Sequence, residues 1–157
     1  MVSVTRFLSL ELTYDARLGE INVKNRQYKV LIVDDDSAVG ELLATLLLLK
    51  GHQCRAISNG AEAIDLIKKE HFDAVITDVE LPLMDGLTLT RELLRLKPSI
   101  VVAVMTGFSD KYTSKDAVAA GASDFLDKPF NIDELSLRFE EMMDNHITHH
   151  RNNTKGS

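Results

Sequence analysis

From Tyr28 onward, short apolar and β-branched runs alternate with longer segments of helical spacing. This alternation constrains the chain more than any other feature, because it is the pattern of βαβ units built around a parallel sheet. Strands are expected at Lys29–Val33, Gln53–Ile57, Ala74–Thr77, Ile100–Met105 and Asp124–Leu126. Helices are expected at Ser37–Lys50, Gly60–Glu70, Leu87–Leu96, Tyr112–Ala120 and Ile132–Met143, where apolar residues recur with a period near 3.6. The expected fold is therefore α/β, a doubly wound (βα)5 arrangement with a five-stranded parallel sheet and helices on both faces, over residues 28–145. The third and fourth strands are almost wholly apolar or β-branched, as strands covered on both faces must be. Gly51 and Gly121 stand where helices should end, Lys97-Pro98 blocks a helix, and Asn131 is placed to cap one.

Two segments fall outside the repeat. Residues 1–27 alternate at Leu8, Leu10 and Leu12, turn near Gly19 and resume at Ile21 and Val23, which predicts a hairpin or an arm without an assigned role. Residues 146–157 form a polar C-terminal tail, expected to fray although the last helix can extend into it. His146, His149 and His150 could share a helical face there and bind a metal, but an exposed polar tail is the preferred reading, because no further ligand of the right kind is nearby in sequence. At 157 residues, 45% hydrophobic, the chain is sized for one core. A net charge of −6 with no Lys/Arg cluster argues against a nucleic-acid or anionic-membrane partner. Cys54 is the single cysteine and reads as a small buried hydrophobe in a reducing compartment. No apolar run suits a signal sequence or a membrane span, so the expected location is cytoplasmic.

The polar residues that stand out lie at the carboxyl ends of the expected strands. Asp34-Asp35-Asp36 follows the first, Asp78 the third, Thr106 the fourth and Lys128 the fifth. In an open parallel sheet these ends share one edge, where ligands bind. Asp34, Asp35 and Asp78 gathered there repel one another unless a cation sits among them, and Mg²⁺ is the cation that suits hard oxygen donors and phosphate together. Lys128 adds an ammonium and Thr106 a hydroxyl, both donors to phosphoryl oxygens. A carboxylate so surrounded is a competent phosphoryl acceptor. Taken singly, the acidic triplet could be a helix cap, Thr106 a strand end and Lys128 a solvated charge; their common placement favours chemistry. Asp85-Gly86 reads as a turn into a helix.

The stretches Val-Leu-Ile-Val-Asp-Asp-Asp (30–36), Ile-Thr-Asp-Val-Glu-Leu-Pro-Leu-Met-Asp-Gly (76–86), Val-Met-Thr-Gly (104–107) and Gly-Ala-Ser-Asp-Phe-Leu-Asp-Lys-Pro-Phe (121–130) resemble the receiver domain of two-component response regulators, a CheY-like family, over about residues 29–145. The resemblance implies the flavodoxin-like strand order 2-1-3-4-5. It implies phosphorylation at Asp78, Mg²⁺ held directly by Asp35 and through water by Asp34, and a further ligand in the Glu80 backbone carbonyl. It implies a phosphoryl contact from Thr106 and Lys128, a cis Lys128-Pro129 bond, and a switch through Thr106 and Phe125. The implied donor is a sensor histidine kinase or histidine phosphotransfer protein. The implied output is a downstream protein target or a homodimer formed through the fourth helix, fifth strand and fifth helix. Gly107 replaces the family's commoner alanine and should loosen its loop, Phe125 lacks the hydroxyl of the frequent tyrosine, and Glu80 and Phe108 are expected to overlook the pocket and slow hydrolysis.

Two rivals stand beside this reading. A haloacid-dehalogenase-like phosphatase would use Asp34 and Asp36 as nucleophile and acid/base, but leaves Asp78 and its Pro-Leu-Met-Asp-Gly continuation unexplained. A receiver-like scaffold that is never phosphorylated usually lacks acidic or lysine positions that are intact here. No output domain's worth of sequence follows residue 145, which fits either a chain that signals by contact or part of a longer regulator.

Overall fold

In the computed structural model, residues 2–7, 10–107 and 111–154 are described, the strands within 2–25 and the stretch 151–154 by their backbone. The chain opens with three strands, β1 (Val2–Phe7), β2 (Leu10–Asp15) and β3 (Glu20–Asn25). They pair as an antiparallel meander of order β1-β2-β3, one strand more than the expected hairpin. Then come β4 (Lys29–Val33), α1 (Ser37–Leu49), β5 (Gln53–Ile57), α2 (Gly60–Lys69), β6 (Ala74–Asp78) and α3 (Gly86–Leu96). The series ends with β7 (Val101–Thr106), α4 (Ser114–Ala120), β8 (Asp124–Asp127) and α5 (Ile132–Thr154).

The second sheet is parallel throughout, in the order β5-β4-β6-β7-β8, which is the expected 2-1-3-4-5. Period-two alternation in the central strands separates two cores. Leu31, Val33, Val75, Val102 and Val104 face the helices α2, α3 and α4, packing with Ala63, Leu89, Leu93 and Ala117. Val30, Ile32, Ile76, Ala103 and Met105 face α1 and α5 and pack with Leu43, Leu47, Leu135 and Phe139. Burial of a side chain of this size stabilises by roughly 1.5–3 kcal/mol, so a polar replacement on either face of β4 or β6 would strike a core directly. At the edges the sheet protects itself with charge and brevity: β5 carries Arg55, and β8 has four residues with an aspartate at each end.

Helix boundaries follow the capping chemistry. Asp36 caps α1, accepting from the N–H groups of Ala38 and Val39, and Asn131 opens α5 by accepting from that of Glu134 at 2.7 Å. Gly121 ends α4 in the left-handed region at φ 95°. The fourth helix starts at Ser114, two residues later than its apolar spacing suggests, because Thr113 and Asp116 form a reciprocal capping box. The fifth runs to Thr154 rather than Met143, through the segment expected to fray. Arg26, just after β3, pairs with Asp144 on that continuation at 2.9 Å.

Cys54 is only partly buried, yet its thiol packs beside the α1/α5 core. Desolvation there pushes its pKa up to about 12. At pH 8 the thiolate fraction is then about a thousandfold below that of an ordinary thiol. Alkylation of the native chain by iodoacetamide, followed by mass spectrometry, should therefore be on the order of a hundredfold or more slower than in urea.

Candidate functional site

Four strand ends converge at the carboxyl edge of the sheet. Beyond β4 the Asp34 N–H continues the ladder to the Ile57 carbonyl at 3.1 Å, so the residue enters the site already fixed by its backbone. Its side chain is buried, with Oδ1 accepting from the Asp36 N–H at 2.9 Å. Asp78 is the last residue of β6, paired with Met105 of β7, and its Oδ1 accepts from the Glu80 N–H at 2.9 Å. Thr106 ends β7, and its carbonyl accepts from the Lys128 N–H at 2.7 Å, carrying the lysine from β8 across to the acidic residues. The Lys128-Pro129 bond is cis, as expected.

Carboxylate oxygens of Asp34, Asp35 and Asp78 all lie within 4.8 Å of one another. Asp34 and Asp78 are buried and Asp35 is exposed, so the cluster has a dry floor and an open rim. The Lys128 Nζ donates to Oδ2 of Asp34 and to Oδ2 of Asp78, each at 2.7 Å. Burial would by itself lower the lysine pKa, but the hydrogen bonds and charges of these two aspartates outweigh it and hold the ammonium above its ordinary range. One ammonium facing three carboxylates leaves the pocket net negative. A donor set made only of oxygens, with one open side, fits a small hard divalent cation such as Mg²⁺.

The loop from Asp78 to Gly86 folds back under the site. Val79 N–H donates to the Met105 carbonyl and Gly86 N–H to the Val79 carbonyl, each at 2.8 Å. A Cβ added at Gly86 would fall 2.1 Å from the Asp78 carbonyl oxygen, so only glycine permits the chain to pass here. Asp85 caps α3, as its turn-like sequence suggests, accepting from Leu87 and Thr88. Burial alone would raise its pKa, but the hydrogen bonds from Thr88 and Leu87 overcome this and lower it. Leu83, at φ 69°, is fully exposed at the tip of the loop.

Other residues singled out in the sequence are placed differently. Thr106 is buried at the site, but its hydroxyl donates to the Gly107 carbonyl at 3.0 Å rather than towards the carboxylates. Phe125 stands apart from the cluster, half-buried against the α2–α3–α4 core. Arg138 of α5 donates to the Phe125 carbonyl at 2.9 Å while pairing with Asp124. Asp36 serves as the α1 cap and so takes the structural role, while its neighbours Asp34 and Asp35 join the cluster. Glu80 is exposed at the rim, and Phe108 lies outside the described residues. Two features escaped the sequence. Gly86 was read only as a turn. A polar cleft of about 280 Å³ adjoins Asp34, lined by Ser37, Glu41, Ser58 and Glu62; its only trace in the sequence is that Ser58 also follows a strand.

The closeness of Gly86 to Asp78 has a measurable consequence. Gly86→Ala should lower stability in urea unfolding by about 2–4 kcal/mol, because backbone must move to admit the methyl group. Gly107→Ala, where nothing described lies within 4 Å of the added carbon, should stay within about 0.5 kcal/mol of the parent.

The sequence model of the response regulator receiver domain matches residues 30–140. Among curated proteins, the response regulator MprA of Mycolicibacterium vanbaalenii is 36% identical over 115 residues, covering 73% of this chain and 50% of that protein. The regulatory protein AtoC of Escherichia coli is 35% identical over 109 residues, 69% of this chain and 24% of that one. The chain thus spans between about a quarter and a half of the length of these relatives. Among solved structures, a CheY-like receiver domain protein from Methanospirillum hungatei superposes with a TM-score of 0.74 at 27% identity, over 79% of this chain and 99% of that one. NtrX from Brucella abortus gives 0.77 at 27% identity, over 82% of this chain and 29% of that one. Strand order, strand-end chemistry and these likenesses converge, and the chain belongs to the response regulator receiver domain family.

Proposed function

We propose that this chain is a phosphorylation switch in which Asp78 accepts a phosphoryl group in a Mg²⁺-dependent transfer. The observation that carries the reading is the gathering of Asp34, Asp35 and Asp78 within 4.8 Å, with the Lys128 ammonium 2.7 Å from two of them. The donor is a phosphohistidine of a sensor kinase or phosphotransfer protein. An Asp78 carboxylate oxygen forms the new P–O bond as the P–N bond to the imidazole breaks, and the departing ring nitrogen keeps the electron pair and takes up a proton. Asp35 would hold the metal, with Asp34 and the Glu80 backbone carbonyl as the protein's other contributions to its site. When bound, Mg²⁺ would supply positive charge against the anionic oxygens of the transferring group. Lys128 then shares its hydrogen bonds with the phosphoryl oxygens, and Thr106 gives up the Gly107 carbonyl to donate to them.

The donor would rest beside Lys128, where α1 and the loop after β8 form an apolar groove of about 500 Å³ lined by Val39, Leu42, Leu46, Pro129, Phe130 and Ile132. Output would pass through α4, β8 and α5, where Val118 and Leu137 are exposed apolar residues suited to a protein target or a second copy. Phe125 turns in behind Thr106 as that surface changes, biasing a two-state equilibrium. The receiver unit is taken as residues 28–145, and it is a signalling module that catalyses only its own phosphorylation and dephosphorylation. Among the described residues no helix is long and apolar enough to cross a membrane, which accords with action in the cytoplasm. The phosphatase alternative loses support because Asp36, its required acid/base, is engaged by two backbone N–H groups of α1.

Incubation with Mg²⁺ and acetyl phosphate, followed by intact-protein mass measurement, should add one phosphoryl group to the parent and none to Asp78→Asn or to protein treated with EDTA. No adduct on a chain whose circular dichroism is native would favour the unphosphorylated scaffold. Turnover of a phosphomonoester that survives Asp78→Asn but not Asp34→Asn would favour the phosphatase. Once charged, Glu80→Ala should hydrolyse about three- to tenfold faster than the parent, a barrier change below about 1.4 kcal/mol, because a rim carboxylate that repels hydroxide and orders water has been removed. An unchanged rate would remove Glu80 from the account.

A further inference from the structure

We propose that His146 and His150, near the end of α5, bind a divalent transition-metal ion of the zinc class at a site separate from the acidic pocket. The two residues are one helical turn apart, and their rings meet edge to face with centroids 4.4 Å apart. With His149 they line an open cleft of about 380 Å³, to which Ser123, Met142 and Asn145 also contribute. Among the described residues no carboxylate lines it. An imidazole set without acidic donors prefers Zn²⁺, Ni²⁺ or Cu²⁺ over Mg²⁺, the opposite selectivity to that of the aspartate cluster.

The orientation of His146 is what distinguishes this pair from two exposed histidines on a tail. One of its ring N–H groups donates to the backbone carbonyl of Ser99, in the turn before β7. That is the arrangement found behind metal-ligating histidines: a carbonyl holds one nitrogen, fixes the tautomer and presents the other nitrogen as the lone-pair donor. The carbonyl dipoles of the closing helix turns also favour a cation at this end. An ion bridging positions 146 and 150 would cross-link successive turns of α5, away from Asp78.

The test is a Zn²⁺ titration of the full chain against a chromophoric chelator, in millimolar Mg²⁺ to keep the acidic pocket occupied. The parent and Asp78→Asn should each bind one Zn²⁺ per chain with the same affinity. His146→Gln and His150→Gln should each weaken binding at least about tenfold while their helical circular dichroism stays native. Hydrogen exchange should slow across residues 144–154 in the parent when Zn²⁺ is added and not in either histidine variant. Equal affinity in the histidine variants, loss of binding in Asp78→Asn alone, or no Zn²⁺ retained by the parent would each overturn the proposal.

Discussion

The bridge from Lys128 to Asp34 and Asp78 is the interaction on which the rest of this structure turns. Two buried carboxylates at the edge of a parallel sheet would repel each other strongly if left alone, and breaking such a pair by removing one partner typically costs about 3–5 kcal/mol. The residues concerned are 94 and 50 positions apart in sequence from the lysine. Only the correct register of β4, β6, β7 and β8 brings them within hydrogen-bonding distance. The two cores that flank the sheet thus supply the free energy that holds like charges together. The same cores make the site rigid, because every strand that ends in it is packed on both faces.

Much of this was legible in the sequence, and for identifiable reasons. The first two strands of the repeat were read to the residue, since a strand bounded by an aspartate run or by glycine and asparagine leaves little freedom in its ends. The candidate site was legible because parallel topology converts four distant positions into one edge, so that order along the chain becomes proximity in space. What failed was whatever depends on side-chain or backbone partners that hydrophobic spacing does not register. The late start of α4 depends on a reciprocal side-chain bond between Thr113 and Asp116, which apolar spacing does not register. The eleven further residues of α5 carry little apolar periodicity, and Arg26 and Ser99, which tie that stretch to the remainder, are 118 and 47 positions from their contacts. Gly86 looked like one more turn glycine because its constraint is a carbonyl eight residues back.

The acidic triplet shows why single-residue interpretation was insufficient. A helix cap and a cation site ask for the same side chain, and sequence alone does not divide the labour among three adjacent aspartates. Backbone direction does. As the chain leaves β4, the strand's alternation sends Asp34 inward over the sheet, while the third aspartate meets the first free N–H groups of α1 and is consumed by them. Asp34 in turn accepts from the Asp36 N–H, so cap and pocket are mechanically joined, and displacement of one would be felt at the other.

Under the proposed phosphorylation, the tension in the pocket becomes the source of the switch. A single ammonium now satisfies Asp34 and Asp78, and a phosphoryl group on Asp78 would bring further anionic oxygens that compete for it. The Thr106 hydroxyl, now donating to a carbonyl one residue away, could supply compensation by changing partner, since that bond is neutral and a bond to a phosphoryl oxygen is charge-assisted. In that proposal, movement of Thr106 would leave space for Phe125, which pairs with Val104 on the neighbouring strand. Arg138 meanwhile pins the Phe125 carbonyl to α5 and limits what its backbone can do. The proposed response would then fall to side-chain rotation, and a rotation that exchanges one packed arrangement for another would yield two discrete surfaces rather than a continuum.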